Sequence, residues 1–236
     1  MTTAGDHGRP PPRGVRSYVR RQGRMTPGQQ RAFAELMPRY GVVLGNAPLD
    51  LPTLFGRSAP VTLEIGFGMG DALLEMAAAA PERDFLGVEV HRPGIGRLLA
   101  GLDAGSLTNV RVIEGDAVQV LERMLGDGVL DRLLLLFPDP WPKKRHHKRR
   151  LLQPAFVELA ARRLAAGGLF HAATDWAPYA EQMREVLEAC PQFENCAGPG
   201  AYAARPDYRP QTKFERRGVA LGHAVFDLLY RRCVPG

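Results

Sequence analysis

The stretch Val61-Thr-Leu-Glu-Ile-Gly-Phe-Gly-Met-Gly-Asp-Ala-Leu-Leu-Glu-Met-Ala-Ala-Ala-Ala80 changes character at its glycines. Ahead of them, Val61–Phe67 is a short apolar run that reads as a strand; behind them, Asp71–Ala80 is an Ala-rich helix ending at Pro81. Closely spaced glycines between a strand and a helix let the backbone turn sharply and approach a ligand without interference from Cβ atoms. The alternation continues downstream. Phe85–Val90, Val110–Glu114, Leu130–Phe137 and Leu169–Thr174 read as strands, and Arg92–Leu102, Ala117–Leu125, Leu151–Ala166 and Trp176–Cys190 as helices. The four leucines Leu133–Leu136 suit a central strand buried on both faces. Gly167-Gly168 stands where a glycine closes a helix, and His223–Arg231 reads as a further strand after an irregular, polar Pro191–Gly222. Strands separated by helices of this length imply βαβ units, hence an α/β fold with a parallel sheet covered on both faces. Ligands bind such sheets beyond the carboxyl ends of the strands, so the residues just after each strand carry the functional reading.

Upstream, residues 1–14 are rich in Gly, Pro and Arg, a composition expected to be disordered. Residues 15–50 read as a basic arm with a helix over Pro27–Met37, Thr26 its cap and Pro27 its first residue. Asn46–Pro60, with three prolines, reads as a connecting loop into a domain that fills residues 51–236. The 236 residues are 45% hydrophobic and 24% charged, ordinary globular composition. Cys190, Cys196 and Cys233 form no C-x-x-C pair, which argues against a disulfide framework or a zinc site and for a reducing compartment. No run reaches the length of a membrane span and the start has no apolar signal core, so cytoplasm is the expected location.

The charge is more informative. Lys and Arg total 31 against 25 Asp and Glu, a net +6. The excess gathers in Arg13, Arg16, Arg20, Arg21 and Arg24, and again in Lys143, Lys144, Arg145, Lys148, Arg149 and Arg150 around His146 and His147. Two such clusters point to phosphate backbones, bound with release of counterions.

At the turn, glycines stand at 66, 68 and 70 and Asp71 follows, whereas the dinucleotide fingerprint needs its third glycine at that point. A carboxylate there repels a pyrophosphate. S-adenosylmethionine carries no phosphate but has an ammonium, a sulfonium and a ribose diol, and an acidic neighbourhood suits it. The second strand ends at Glu89, placed to accept from both ribose hydroxyls, a position shared with nicotinamide sites. The third ends at Glu114-Gly-Asp116, where Asp116 either accepts from an adenine amino group or caps the next helix. The fourth runs into Phe137-Pro-Asp-Pro-Trp-Pro-Lys143, in which three prolines hold Asp139 and Trp141 at a strand end. An aromatic in that place either stacks a purine or fills a rigid turn.

Phe137-Pro-Asp-Pro-Trp-Pro-Lys-Lys-Arg-His-His-Lys-Arg-Arg150 resembles the signature of the bacterial tRNA (guanine-N7)-methyltransferases. Arg16–Thr26, Leu63–Gly70, Ala173-Thr-Asp-Trp176 and Thr212–Gly218 are similar to further motifs of that family. The resemblance implies a Rossmann-like S-adenosylmethionine-dependent methyltransferase fold with a mostly parallel seven-stranded sheet. It implies methylation of N7 of guanine 46 in the tRNA variable loop. It carries cofactor contacts to Glu64, Gly66, Gly68, Gly70, Glu89, Asp116 and Asp139, and the catalytic assignment to Asp139. It carries substrate contacts to Lys143, Asp175, Thr212, Lys213, Phe214 and Glu215, and RNA contacts to Arg145, His146, His147, Lys148, Arg149 and Arg150. No set of His, Cys and carboxylates suggests a metal. Asp139-Pro-Trp141 is also close to the Asp/Asn-Pro-Pro-aromatic motif of exocyclic-amine methyltransferases, and an RNA-binding factor without chemistry is the rival from another class.

Overall fold

The structure, a computed structural model, describes residues 23–211, 215 and 224–233. The chain enters through α1 (Pro27–Tyr40), which Thr26 opens with a capping box: Gln29 N–H donates to Thr26 Oγ1 at 3.3 Å and Thr26 N–H to Gln29 Oε1 at 2.8 Å. The helix continues past Pro38 to Tyr40, with Gly41 as its cap, beyond the expected stop at Met37. A two-residue strand, β1 (Gly41–Val42), follows. The connecting stretch holds one short helix, α2 (Leu51–Phe55), capped by Asp50.

Then the alternation read from the sequence unfolds: β2 (Val61–Ile65), α3 (Asp71–Ala79), β3 (Asp84–Glu89), α4 (Arg92–Ala104), β4 (Val110–Glu114), α5 (Ala117–Arg123) and β5 (Leu130–Leu136). A 3-10 helix over Lys144–Arg149 precedes α6 (Pro154–Arg163), β6 (Leu164–Thr174), α7 (Ala177–Glu188), β7 (Phe193–Asn195) and β8 (Phe226–Arg232). The strands form one sheet of eight in the order β1-β4-β3-β2-β5-β6-β8-β7. Neighbours from β1 through β6 are parallel, and β8 pairs antiparallel with both β6 and β7. The sheet is thus one strand wider than seven, the addition being β1 on the edge of β4.

Two readings change. The helix expected over Leu151–Ala166 starts at Pro154 and stops at Arg163, and Gly167-Gly168 lie inside β6. Gly167 has φ +78°, and a Cβ on Gly168 would fall 2.9 to 3.2 Å from the carbonyl oxygens of Ala165, Asp131 and Leu130. These glycines serve a bulge, where the β5–β6 register shifts between Leu130 and Arg132, and not a helix end. The second change is β7, which lies within the stretch read as irregular.

The core has two sides because strand side chains alternate. Leu133 and Leu135 pack with residues of α5, α6 and α7 such as Val120, Val157 and Met183. Leu134 and Leu136 pack with residues of α3 and α4 such as Leu73, Ile95 and Leu98, beside Tyr40 of α1. Each buried leucine is worth on the order of 2 kcal/mol, so the run fixes β5 in the middle of the sheet. Within the stretch read as an arm, α1 lies against α4, with Arg39 Nη1 3.3 Å from Asp103 Oδ1 and the Arg92 guanidinium 5.4 Å from the Phe33 ring centre. No helix of the described residues is long and apolar enough to cross a membrane.

Candidate active site

The order reverses at β2: the chain moves outward through β3 and β4, then crosses to β5 and β6. Doubly wound sheets bind ligands at the carboxyl ends beside such a switch point. Here those ends carry Gly66, Glu89, Asp116, Asp139 and Asp175. Gly66, Gly68 and Gly70 all have positive φ, +73°, +58° and +79°, which other residues adopt at a cost. A Cβ on Gly66 or Gly68 would meet nothing within 4 Å, so the turn borders open space. On its other side α4 closes in: a Cβ on Gly94 would lie 1.8 Å from the Gly68 carbonyl oxygen. Gly94, which the sequence reading did not single out, is what allows that approach. A glycine in the first turn of an otherwise good helix was the available signal.

The acidic residues divide by their partners. Glu89 Oε2 accepts from Gly68 N–H at 2.8 Å, and its Oε1 accepts from Val90 and His91 N–H at 2.6 and 2.9 Å. Three of about four acceptor positions on the carboxylate are therefore taken, which orients it and leaves one on Oε2. Glu64 is buried, and its Oε2 has no hydrogen-bond partner. Burial first, and the Glu89 charge second, push its carboxyl up to about 8. Asp116 caps α5, accepting from Val118 N–H at 2.9 Å. Asp71 stands 2.7 Å from Arg97 Nη2, so the charge that disfavours a pyrophosphate is partly matched by a cation.

The loop after β5 is anchored at its start by Phe137 N–H donating to the Ala173 carbonyl at 2.8 Å. Phe137 and Trp141 both have positive φ, +51° and +44°. Each such residue costs roughly 1–3 kcal/mol and persists only where its surroundings enforce it. Between them Asp139 is exposed. Trp141 is half-buried, with the Arg149 guanidinium 5.0 Å from its ring centre and His146 edge-on at 5.8 Å. Trp176, next to exposed Asp175, is more open, at 40% exposure.

The basic run forms the 3-10 helix. Lys143, Lys144, Arg145 and Lys148 are exposed, and His146, His147 and Arg149 half-buried. Burial and the surrounding Arg145, Arg149, Lys143 and Lys148 lower the pKa of His146. Arg150 differs from the rest of this cluster: its side chain is buried, with Nε–H donating to the Pro140 carbonyl at 2.9 Å.

A buried polar group that the sequence reading missed lies under the same loop. The Arg209 guanidinium is bidentate to Glu215, at 2.5 and 3.0 Å, and donates to Asp227 at 2.8 and 2.9 Å; it sits 5.6 Å from the Phe137 ring centre. His171 Nε2 meets Asp227 Oδ1 at 2.7 Å, and Tyr208 O–H donates to its Nδ1 at 3.0 Å. Burial lowers the His171 pKa more than Asp227 raises it, so the ring is neutral and Nε2 carries the proton. Burial pushes the Asp227 carboxyl up, but His171 and Arg209 outweigh it and hold the group below the usual carboxylate range. The signal was a His and an Asp set singly inside apolar strands, Phe170-His-Ala172 and Phe226-Asp-Leu228. Both oxygens of Glu215, expected to contact substrate, are held by Arg209. Thr212, Lys213 and Phe214 lie outside the described residues.

A family model described as "Putative methyltransferase" matches residues 58–228. A tRNA (guanine-N(7)-)-methyltransferase of Pseudomonas entomophila (strain L48) is 58% identical over 222 residues, 94% of this chain and 92% of that protein. One of Xanthomonas campestris pv. campestris (strain 8004) is 59% identical over 220 residues, 93% of this chain and 84% of that protein. Among solved structures, the 16S rRNA methyltransferase KamB aligns with TM-score 0.58 at 16% identity, over 79% of this chain and 95% of that one. The 16S rRNA (adenine(1408)-N(1))-methyltransferase W203A mutant from Catenulisporales acidiphilia aligns with TM-score 0.54 at 14% identity, over 84% and 98%. At such identities these two speak for the fold alone.

Proposed function

The chain belongs to the tRNA (guanine-N7)-methyltransferase family, and on that premise we propose that it transfers a methyl group from S-adenosyl-L-methionine to N7 of guanine 46 in the variable loop of tRNA, giving 7-methylguanosine. The observation that carries this reading is the buried Glu64 carboxylate with an unpartnered oxygen beside an open glycine turn. A cofactor bearing an ammonium and a sulfonium draws Glu64, whose carboxyl burial raises to about 8, into its ionised form, and one bearing phosphates does not. When bound, S-adenosylmethionine supplies a methyl group on a cationic sulfur. Glu64 offsets that positive charge, Glu89 accepts from the ribose through its remaining Oε2 position, and Asp116 accepts from the adenine amino group. Gly66, Gly68 and Gly70 admit the backbone close to the ligand.

Guanine N7 presents an in-plane lone pair and holds no proton, so the nucleophile needs no base. The methylated base becomes cationic, and Asp139 stabilises that developing charge as a carboxylate. Asp175, exposed at the end of β6, accepts from guanine N1–H and its amino group, which separates guanine from adenine. Thr212, Lys213 and Phe214 complete the substrate side, and Lys143 with the exposed cations of the 3-10 helix holds RNA phosphates. Alignment of the reacting atoms in a dry pocket supplies most of the rate. The test is nucleoside analysis of bulk tRNA after incubation with the chain and methyl-labelled cofactor. Label in 7-methylguanosine supports the reading; label in an N2-methylguanosine or N6-methyladenosine, or none, overturns it.

A further inference from the structure

Arg150 closes the basic run, yet its side chain turns inward and is buried. Its Nε–H donates to the Pro140 carbonyl at 2.9 Å, and its Nη1 to Gln182 Oε1 at 3.2 Å. The guanidinium lies 4.7 Å from the ring centre of Tyr179. The groups that hold it are themselves fixed on α7: Gln182 Nε2 donates to the Leu152 carbonyl at 2.8 Å, and the Tyr179 hydroxyl accepts from Leu152 N–H at 3.4 Å. Pro140 is the residue between Asp139 and the strained Trp141. A planar guanidinium held by an aromatic face and a side-chain amide is well suited to pin one carbonyl in one place. Its Nη2 has no hydrogen-bond partner but is buried too, so it is not presented at the surface to a phosphate.

We propose that Arg150 is a positioning residue of the reaction loop: it fixes the Pro140 peptide, and through it the direction of the Asp139 carboxylate, and it takes no part in RNA binding. The proposal rests on the reading of Asp139 as the group that stabilises the developing charge. A phosphate ligand and a positioning residue differ in what their loss changes. Losing a phosphate contact weakens tRNA binding and flattens its salt dependence. Losing the positioning contact lowers the rate of the bound complex and leaves binding as it was.

The experiment compares the full-length parent with Arg150→Lys and Arg150→Met. It measures kcat at saturating tRNA and cofactor, tRNA Kd across a salt series, and Tm. The parent is assayed first for 7-methylguanosine, and its absence there would count against the function and not against this contact. Given an active parent, Arg150→Met should lose at least tenfold in kcat, with tRNA Kd and salt slope at parental values. Arg150→Lys should fall between the two, because an ammonium reaches the carbonyl without the stacking or the second donor. Parental kcat with a salt slope shallower by about one makes Arg150 a phosphate ligand and overturns the proposal. Should Arg150→Met not fold, Arg150→Lys decides: reduced kcat at parental tRNA affinity supports the proposal, and parental kcat overturns it.

Discussion

Glu64 and Glu89 point to the same face of adjacent parallel strands, Glu64 opposite Gly87 and Glu89 two residues further along. Glu89 is satisfied by backbone N–H groups, whereas Glu64 keeps an unpartnered oxygen in the core and its carboxyl is raised to about 8. At pH 7 the free protein therefore holds Glu64 mostly protonated, and a cationic ligand favours the ionised form. Cofactor binding at pH 7 should release close to one proton, and affinity should rise with pH and level off above about 8. Calorimetry in two buffers of different ionisation enthalpy measures the proton directly. Glu64→Gln should abolish it. The sign for stability is opposite: a folded pKa above the unfolded value means that the free chain loses stability as pH rises from about 4.5 to about 8.

Gly94 tests the packing behind the turn. Alanine is favoured over glycine inside a helix by about 1 kcal/mol, so propensity alone predicts a stabilised Gly94→Ala. The Gly68 carbonyl oxygen, 1.8 Å from the added Cβ, is backbone and cannot rotate away. The variant should lose at least tenfold in cofactor affinity, about 1.4 kcal/mol, as α4 and the turn separate. Parental affinity by calorimetry would mean that α4 does not set the turn.

The alternation of strands and helices was legible because each strand is apolar and each helix is bounded by a Gly, Pro or capping residue. Asp116 as cap of α5 and Thr26 as cap of α1 follow from short-range chemistry. Gly167-Gly168 misled for the same reason: a glycine pair marks either a helix stop or a close backbone approach, and the choice lies in the distant carbonyls of Leu130 and Asp131. The site divides in the same way. Glu89, the last residue of its strand, and Asp139, just past the end of another, could be placed from sequence. Arg209 and Arg150 could not, since an arginine's burial is decided by partners such as Asp227 and Gln182 that the chain supplies elsewhere.

Arg209 is the counter-ion for two buried carboxylates, Glu215 and Asp227. Arg209→Met takes the Arg209 cation away from both, and breaking a buried pair costs about 3–5 kcal/mol. Its Tm should fall by many degrees at pH 7. Asp227 has a depressed folded pKa, so its contribution is present above the ordinary carboxylate value and is lost as pH falls through the folded one. The gap between parent and variant should therefore narrow in acid. A gap that is constant from pH 7 down to pH 3 would show that the loss comes from packing and not from charge.

Asp139 is exposed at the centre of its loop, so its replacement disturbs little packing. Asp139→Asn removes charge and keeps shape. The expected outcome is a fall in kcat of about a hundredfold with Tm unchanged, the scale seen when one electrostatic partner of a transition state is lost. Near-parental turnover at saturating cofactor and tRNA would refute the electrostatic role.

The outer cations of the 3-10 helix should behave in the opposite manner. Lys144, Arg145 and Lys148 are exposed, whereas Arg149 also lies against Trp141 and is better left in place. Replacing the three with alanine removes charge from the surface without touching the loop. If each meets one phosphate, the slope of log K against log salt should flatten by roughly 0.7 to 0.9 per contact. Affinity at low salt should drop far more than affinity at high salt, where screening has already weakened those contacts. Turnover at saturating tRNA should stay near the parental value, because none of the three side chains supports Asp139. A triple variant with parental salt dependence would move the RNA surface away from this helix, and a large fall in kcat would mean that the helix shapes the reaction loop as well as holding the substrate.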